Sequence, residues 1–313
     1  MGPSAETIVI GAGPAGLTTA YRLAKDGHSV LVLDNLIYGG QSLFHLCARD
    51  GFDFVRGDAR DDDALRAALK RADVIIPLAA LVGAPACDRD PWVAQSVNYG
   101  AIKQLNELRS ANQLVLYPCT NSGYGAKSGD VFCTEETPME PISLYGRTKV
   151  EAEKLLLDSD NVITLRLATV FGASPRMRLD LLVNHFTHAA FTDGCIEIFE
   201  KDAKRNYVHI RDVADCFVHC LANTDAMLGR PYNLGLDDAN LSKEELALKV
   251  REHVGAFRIY FAEVGEDPDK RDYIVSNERL RGAGFAARRT LDDGIVELLK
   301  AYRMIGRSEL GNV

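Results

Sequence analysis

Thr7-Ile8-Val9-Ile10-Gly11-Ala12-Gly13-Pro14-Ala15-Gly16 is the stretch of this 313-residue chain that decides the fold. Residues 7–10 predict a short buried strand, and a helical run over residues 17–25 follows the last glycine directly. Glycines at these spacings let the backbone turn sharply and approach a pyrophosphate closely, while the amides at the helix start face the anion. Strand, glycine turn and helix in this order predict a dinucleotide-binding site.

The next predicted strand, residues 29–33, ends in Asp34. An acid at this place can accept the hydroxyls of an adenosine ribose and disfavours a phosphate there, so the sequence favours NAD over NADP. The turn alone does not choose between NAD and FAD, because residues 9–17 are equally typical of a flavoprotein. A flavin-dependent monooxygenase is therefore an alternative at this point.

Strands and helices continue to alternate up to residue 167. The predicted strands cover residues 52–56, 74–77, 114–118 and 162–167, and the predicted helices cover residues 61–71, 91–109 and 142–157. Such alternation predicts an α/β fold with a doubly wound parallel (Rossmann) sheet, whose ligands bind beyond the carboxyl ends of the strands.

Beyond residue 167 the regular alternation ends. Helices are predicted over residues 179–191 and 213–222 and short strands over 197–199, 207–209 and 258–262, followed by a polar loop over 263–270. Ser242 and Glu245 form a capping box, Thr290 caps a last helix over residues 291–302, and the tail after Gly306 is expected to fray. We predict a dinucleotide-binding domain over residues 1–167, completed by parts of 206–235. Residues 168–205 and 225–305 would form a smaller, interleaved C-terminal substrate lobe.

Composition narrows the range of partners. A net charge of −8 and a pI near 5.4 leave no basic field for nucleic acid. The seven scattered cysteines lack C-x-x-C spacing, which suits a reducing cytoplasm, and neither a signal peptide nor a membrane span is predicted. His185 and His188 lie one helical turn apart, but no carboxylate or cysteine completes the set, so no metal site is predicted.

Tyr145 and Lys149 lie four residues apart on the helix predicted over residues 142–157. Residues at this spacing share one helical face, and a cation beside a phenol favours the phenolate. The pair therefore predicts a tyrosine base with a lysine partner. Taken alone, a chance arrangement on a solvated helix face is the alternative.

With these parts in place, the chain resembles the extended short-chain dehydrogenase/reductase family, the NAD-dependent sugar-nucleotide epimerases and dehydratases. The resemblance runs from residue 7 to about residue 299. It rests on the glycine turn, residues 34–36, 57–61, 78–80, Asn98, residues 120–125, Tyr145 with Lys149, and residues 205–207. Two positions differ from the family pattern. This chain has Ile10 where the family usually has its first glycine, and Pro77 where the family commonly has a histidine.

The resemblance implies the cofactor contacts. Asp34 and Asn35 would hold the adenosine ribose, Asp58 the adenine amino group, and Lys149 the nicotinamide ribose. A packing role is the alternative for Asn98. The full set of implied NAD-binding residues is Gly11, Gly13, Pro14, Ala15, Gly16, Asp34, Asn35, Asp58, Ala59, Leu78, Ala79, Ala80, Asn98, Tyr145 and Lys149.

The resemblance also implies the catalytic and substrate residues. Thr120 takes the place of the catalytic Ser/Thr that hydrogen-bonds the substrate oxygen deprotonated by Tyr145. Arg205 and Arg271 would bind the diphosphate of a nucleoside-diphosphate sugar, with surface ion pairs as the alternative. The remaining implied substrate residues are Val82, Asn121, Ser122, Thr169, Arg176, Arg178 and Asn184.

The residues after Thr120 indicate the reaction. Related dehydratases place Asp and Glu next, and the 3,5-epimerase/reductase branch places Cys second, whereas this chain has Asn121 and Ser122. Of the reactions known in the family, oxidation at C4 of the sugar is therefore the one that these residues favour. We expect net 4-epimerisation because the family keeps NAD bound and returns the hydride. A non-catalytic NAD-sensing regulator is a further alternative.

Four segments resemble the GDP-heptose 4-dehydrogenases more narrowly, namely residues 77–85, 120–125, 171–184 and 267–277. The resemblance implies a nucleotide-linked heptose, without fixing the base, and net 4-dehydrogenation as the alternative reaction. The family often pairs two helices from each subunit, so helices around residues 101–108 and 150–157 would join a homodimer.

Overall fold

A seven-stranded sheet forms the centre of the computed structural model, which describes residues 6–127, 132–262 and 271–305. Every neighbouring pair in it is parallel, in the order β11-β7-β5-β4-β1-β2-β3. The strands are β1 (Glu6–Ile10), β2 (Ser29–Asp34), β3 (Phe52–Arg56), β4 (Val74–Pro77), β5 (Leu114–Thr120), β7 (Val162–Leu167) and β11 (Pro231–Leu234). The predicted doubly wound parallel fold is confirmed.

Helices cover both faces of this sheet. One face packs on α1 (Pro14–Lys25) and α8 (Ile210–Ala222), and the other on α2 (Asp62–Leu69), α5 (Ala101–Leu108) and α6 (Leu144–Leu157). The order of strands reverses between β1 and β4, and ligands of doubly wound sheets bind in the crevice at such a point. The glycine turn leaves β1 at this crevice.

The helix predicted over residues 91–109 is confirmed as one continuous helical run over residues 91–108, with a π-helical turn in its middle. It consists of α4 (Pro91–Gln95), the π-helical turn (Ser96–Gly100) and α5, after a short α3 (Ala84–Arg89). A π-helical turn inserts one extra residue per turn and often occurs at functional sites. It turns Asn98 into the protein, where the side chain is 1% exposed.

A smaller lobe is built around its own apolar core. It contains the sheet β12 (Asn240–Ser242), β10 (Lys204–His209) and β8 (Thr169–Phe171), and the pair β13 (Arg258–Phe261) with β9 (Cys195–Ile198). Its core lies among α7 (Leu182–Thr192), α10 (Lys243–Val254) and α12 (Leu291–Tyr302). The remaining elements are 3₁₀ helices at Gln41–Leu46 and Asn121–Tyr124, β6 (Phe132–Cys133), α9 (Thr224–Met227), β14 (Ile274–Val275) and α11 (Glu278–Gly282).

Local signals in this lobe are mostly reproduced. The Ser242–Glu245 capping box opens α10 and Thr290 caps α12, as predicted. The helix predicted to begin at residue 179 begins at Leu182, because residues 179–181 belong to the preceding loop. The predicted loop over residues 263–270 and the tail after Gly306 lie outside the described residues. Among the helices that are described, none is long and apolar enough to cross a membrane.

Candidate active site

The glycine turn has the shape that a dinucleotide requires. Gly11 has φ +103°, and a Cβ there would lie 2.5 Å from the Ala79 nitrogen; a Cβ on Gly16 would lie 1.9 Å from the Gly11 oxygen. Gly13 is different, because a Cβ there would meet nothing within 4 Å. The first and third glycines are thus needed for packing, and Gly13 leaves an open cradle at the start of α1, where Pro14 occupies the first turn. These residues fit a bound pyrophosphate.

Asp34 joins this turn to the end of β2. Its carboxylate accepts one hydrogen bond from the Ala12 amide and one from the Leu36 amide, both at 2.6 Å. Asn35 donates to Asp58 at 3.1 Å, so two of the predicted adenosine contacts lie side by side. The Arg60 guanidinium beside Asp58 holds the pKa of that carboxyl well below its usual range.

The loop after β4 is fastened to the neighbouring helix by Asn98. The Asn98 carboxamide accepts from the Leu81 amide at 2.8 Å and donates to the Leu81 carbonyl at 3.0 Å and to Thr148 Oγ1 at 3.3 Å. At the beginning of the same loop, Leu78 and Ala79 donate their amides to the Ile10 carbonyl. Ala80 and Val82 follow in this loop. Asn98 therefore shapes the wall of the cofactor crevice through backbone contacts.

Tyr145 and Lys149 share a face of α6, as their spacing predicts. Ser143 caps this helix by accepting from the Gly146 amide at 3.2 Å. Burial lowers the pKa of Lys149 to about 8, and its Nζ lies 4.1 Å from the centre of the Tyr117 ring. Burial raises the pKa of Tyr145, whereas the charges of Arg178 and Arg271 lower it. A nearby cation is thus the means by which this phenol could ionise at neutral pH.

A buried ion pair lies directly behind these residues, and the sequence analysis missed it. Glu153, one turn beyond Lys149, pairs with Arg166 of β7 at 2.9 Å and accepts from Thr164 at 2.7 Å. The two charged side chains are only 2% and 7% exposed. Arg166 also donates to the Tyr124 hydroxyl at 3.1 Å. The repeated four-residue step from Tyr145 to Lys149 to Glu153 is the signal that could have revealed Glu153.

Thr120, at the carboxyl end of β5, belongs to a chain of polar contacts. Its hydroxyl donates to Ser122 Oγ at 3.0 Å and accepts from the Ser122 amide at 3.1 Å. Arg271 Nη1 donates to the same Ser122 oxygen at 2.6 Å. Asn121 is fully buried beside them. A residue implied for catalysis and one implied for the diphosphate are thus connected through a single serine.

The arginines implied for the substrate approach from the smaller lobe. Arg205 lies on β10 and is 5% exposed, and both Arg205 and Arg271 act on the pKa of Tyr207, which burial raises. Arg178 forms an ion pair with Asp180 in the loop between β8 and α7. Because Arg178 and Arg271 also act on Tyr145, positive charge surrounds the phenol on the side of this lobe.

The loop that carries Arg176 and Arg178 is shaped by Asn184. This buried carboxamide accepts from the Gly172 amide at 3.1 Å and donates to the Arg178 carbonyl at 2.9 Å. Arg176 points to the other lobe, with its guanidinium carbon 3.8 Å from the centre of the Tyr38 ring. Thr169 lies on β8 at the start of this loop. The two arginines therefore have different partners, Tyr38 for Arg176 and Asp180 for Arg178, although their charges still interact.

The site and the fold define a class of dinucleotide-dependent enzymes, and the comparison with known families names it. The model of the NAD dependent epimerase/dehydratase family matches residues 7–235, so the chain belongs to this family. The cofactor is therefore NAD, and the flavin alternative left open by the glycine turn is excluded. A relative with the name UDP-glucose 4-epimerase, from Mycolicibacterium smegmatis, is 30% identical over 312 residues, covering 95% of this chain and 98% of that protein.

Solved structures match the whole fold. A UDP-glucose 4-epimerase from Thermus thermophilus in complex with NAD has a TM-score of 0.82 at 22% identity, covering 95% of this chain and 99% of that chain. A dTDP-glucose 4,6-dehydratase from Bacillus anthracis, also in complex with NAD, has a TM-score of 0.83 at 20% identity, covering 96% and 97%. Because epimerase and dehydratase share this fold, the reaction has to be argued from side chains.

Proposed function

We propose that this protein is an NAD-dependent 4-epimerase of nucleoside-diphosphate sugars. The observation that carries the proposal is the Thr120, Tyr145 and Lys149 set beside the NAD crevice, with Asn121 and Ser122 following Thr120. The relative from M. smegmatis, whose name is UDP-glucose 4-epimerase, supports it along nearly the whole chain.

Tyr145 is the proposed base for the C4 hydroxyl of the sugar. It takes the hydroxyl proton as the carbon is oxidised to a ketone, and gives a proton back when the ketone is reduced. NAD, when bound, accepts the hydride from C4 and returns it to either face of that carbon. The Thr120 hydroxyl holds the same substrate oxygen, so the oxygen stays fixed while the carbon changes configuration.

Lys149 is the proposed cationic partner of Tyr145, in addition to Arg178 and Arg271, whose charges lower the pKa of that phenol. The Lys149 pKa of about 8 leaves this lysine mostly cationic at neutral pH, and a cation one helical turn away stabilises the phenolate. The Tyr117 ring beneath Nζ stabilises the same cation. Because Lys149 is only 4% exposed, little water screens this interaction.

The arginines of the smaller lobe are the proposed diphosphate ligands. Arg205, Arg271 and Arg178 provide guanidinium groups that can bind phosphate oxygens in bidentate fashion. Arginines that bind the diphosphate hold the nucleotide in place. The sugar, which they do not contact, can then rotate. An epimerase needs this freedom, because both faces of C4 have to meet the same hydride carrier.

Loss of water from the sugar is less consistent with these residues. A 4,6-dehydration requires a general acid and a general base near C5 and C6, in addition to the tyrosine. Asn121 and Ser122 occupy the two positions after Thr120, and neither side chain exchanges protons readily near neutral pH. Reversible oxidation at C4 requires no such pair.

A nucleotide-linked heptose is the proposed sugar, and net 4-dehydrogenation is the second candidate reaction. Both rest on the resemblance of residues 77–85, 120–125, 171–184 and 267–277 to GDP-heptose 4-dehydrogenases. The relatives with the name UDP-glucose 4-epimerase make a UDP-hexose the competing substrate. We further propose a homodimer through α5 and α6.

Incubation of the purified protein with UDP-glucose and with GDP- and ADP-linked manno-heptoses tests the proposal. We expect one of them to give a product of unchanged mass with inverted C4 coupling by NMR, and Tyr145→Phe to abolish its formation. A product lacking two hydrogens, with a keto signal and stoichiometric NADH, would establish the dehydrogenase instead. No change in any nucleotide sugar would refute both reactions.

A further inference from the structure

Arg176 makes a contact between the two lobes that the proposed substrate contacts do not explain. It lies in the loop between β8 and α7, two residues from Arg178. Arg178 pairs with Asp180 of its own loop and acts on Tyr145, whereas Arg176 stacks on Tyr38, which follows β2 in the NAD-binding lobe. Two neighbouring arginines therefore serve different regions.

Tyr38 sits on a turn that is built on the ribose-binding carboxylate. The Leu36 amide donates to Asp34 at 2.6 Å, and the Gly39 amide donates to the Leu36 carbonyl at 2.9 Å. Leu36 has φ +60°, a conformation that non-glycine residues adopt rarely and that such local hydrogen bonds maintain. Tyr38 is thus connected to Asp34 through the three intervening residues of a hydrogen-bonded turn.

The Arg176 guanidinium is itself close enough to Asp34 for their charges to interact. Burial lowers the pKa of Arg176 and the charge of Arg178 acts in the same direction, whereas Tyr38, Asp34 and Asp180 stabilise the charged form. Tyr38 is 52% exposed and would otherwise present a bare aromatic face to water at the adenosine end of the crevice. Because Asp34 is the residue implied for the adenosine ribose, the Arg176–Tyr38 contact lies at the adenosine end of the crevice.

We propose that Arg176 is a cofactor-retaining residue, a clasp that closes with Tyr38 over the adenosine end of the NAD site. NAD release then requires Arg176 and Tyr38 to separate, which moves the substrate loop away from the turn after β2. Slow NAD release keeps the abstracted hydride available for return to the sugar. This consequence rests on the proposed epimerase reaction, whereas the clasp itself rests only on NAD binding.

The dissociation rate of NADH, followed by its fluorescence after mixing with excess NAD, tests the clasp without any sugar. We expect Arg176→Ala and Tyr38→Ala each to accelerate release about fivefold, the size of a partly exposed cation–π contact. The double variant should release NADH no faster than either single variant, because both remove one contact. Arg49→Ala is the matched control, since Arg49 stacks on Tyr21 at 4.9 Å and should leave the rate unchanged.

Unchanged release in both single variants, or strictly additive effects in the double variant, would overturn the proposal. So would Arg176→Ala weakening the binding of a nucleotide sugar while NADH release stays as in the parent protein, because Arg176 would then be a substrate ligand. If no nucleotide sugar is turned over, the NADH rates still decide on the clasp. Failure of the clasp and failure of the proposed reaction are therefore separate results.

Discussion

The helix α6, which carries the proposed base, and the loop over residues 172–181 hold their charges in different ways. On α6, Lys149 and Glu153 are buried, and Glu153 is fixed by Arg166 from the neighbouring strand at 2.9 Å. In the loop, Arg178 pairs with an Asp180 side chain that is 53% exposed, and Arg176 stacks on a ring that is 52% exposed.

This difference in burial fits the different roles proposed for the two regions, catalysis for α6 and substrate binding for the loop. Buried charges cost desolvation energy, but their geometry is set before the substrate arrives, which is what stabilisation of a transition state requires. The Arg178–Asp180 pair is open to solvent on one side only, since the Arg178 side chain is 12% exposed and that of Asp180 is 53% exposed. Water therefore screens it more than the buried pair on α6, and Arg178 can leave Asp180 for a phosphate at a smaller cost. The helix is therefore expected to respond to substitution in rate and stability, and the loop in binding.

Tyr145→Phe should have the largest effect. Removing the phenol oxygen deletes the proposed acid–base group, so we expect kcat to fall by about a thousandfold, within the range for such groups. NADH binding, measured by fluorescence titration, should be preserved. Tyr260→Phe on β13 serves as the control. Activity unchanged in Tyr145→Phe would favour the non-catalytic NAD-sensing regulator.

Glu153→Gln should destabilise the protein most. It leaves Arg166 buried without its carboxylate, a change that costs about 3–5 kcal/mol in the free energy of unfolding. The double variant Glu153→Gln with Arg166→Met should recover most of that loss in urea denaturation, because no charge is then left unpaired. Glu151→Gln, exposed on the same helix, is the control. Equal stability in the single variant and the control would show that the ion pair does not fix α6.

Lys149→Met should inactivate the enzyme and stabilise the fold. Burial lowers the pKa of Lys149 from 10.5 to about 8, so between these pH values the unfolded chain binds a proton that the folded protein lacks. Stability from this group therefore rises with pH through that window, and at neutral pH the charged lysine costs on the order of 3 kcal/mol.

The melting temperature at pH 7 checks the predicted stabilisation, and a pH–rate profile checks the role of the Lys149 charge in activity. Lys149→Met should melt higher than the parent, whereas Lys103→Met, exposed on α5, should not. Activity of the parent should decline above about pH 8 as Lys149 loses its charge. A lower melting temperature in Lys149→Met would contradict the assignment of a desolvated cation.

Arg178→Ala should have the smallest effect of the four, and more on binding than on the rate constant. Loss of one guanidinium–phosphate contact predicts a KM for the nucleotide sugar about tenfold higher, and loss of one of the two arginine charges that favour the Tyr145 phenolate predicts a smaller fall in kcat. Arg258→Ala, exposed on β13, is the control. A fall in kcat without a change in KM would show that the loop takes part in chemistry, and would remove the contrast with α6.

The parts readable from the sequence are those with local causes. The β1–glycine turn–α1 unit, Asp34 at the end of β2 and the capping box of α10 each depend on residues a few positions apart. The pairing of Tyr145 with Lys149 follows from helical spacing in the same way. Signals of this kind survive without knowledge of the tertiary fold.

The parts that were not readable depend on distant partners. β11 joins the sheet beside β7, and β14 pairs with β6, which precedes it by more than 100 residues, yet each is too short to show a period of its own. The π-helical turn that buries Asn98 has no distinctive composition. Arg166 looks like an ordinary strand residue until β7 is placed beside α6. The Arg176–Tyr38 contact likewise exists only because two lobes meet.

The most direct measurement of the central claim uses a nucleotide sugar carrying deuterium at C4. If Tyr145 and the retained cofactor act as proposed, the epimerised product keeps the deuterium at C4 and its mass equals that of the substrate. A product that has lost that deuterium together with the hydroxyl proton, with the label recovered in free reduced NAD, would contradict the return of the hydride and make the protein a dehydrogenase.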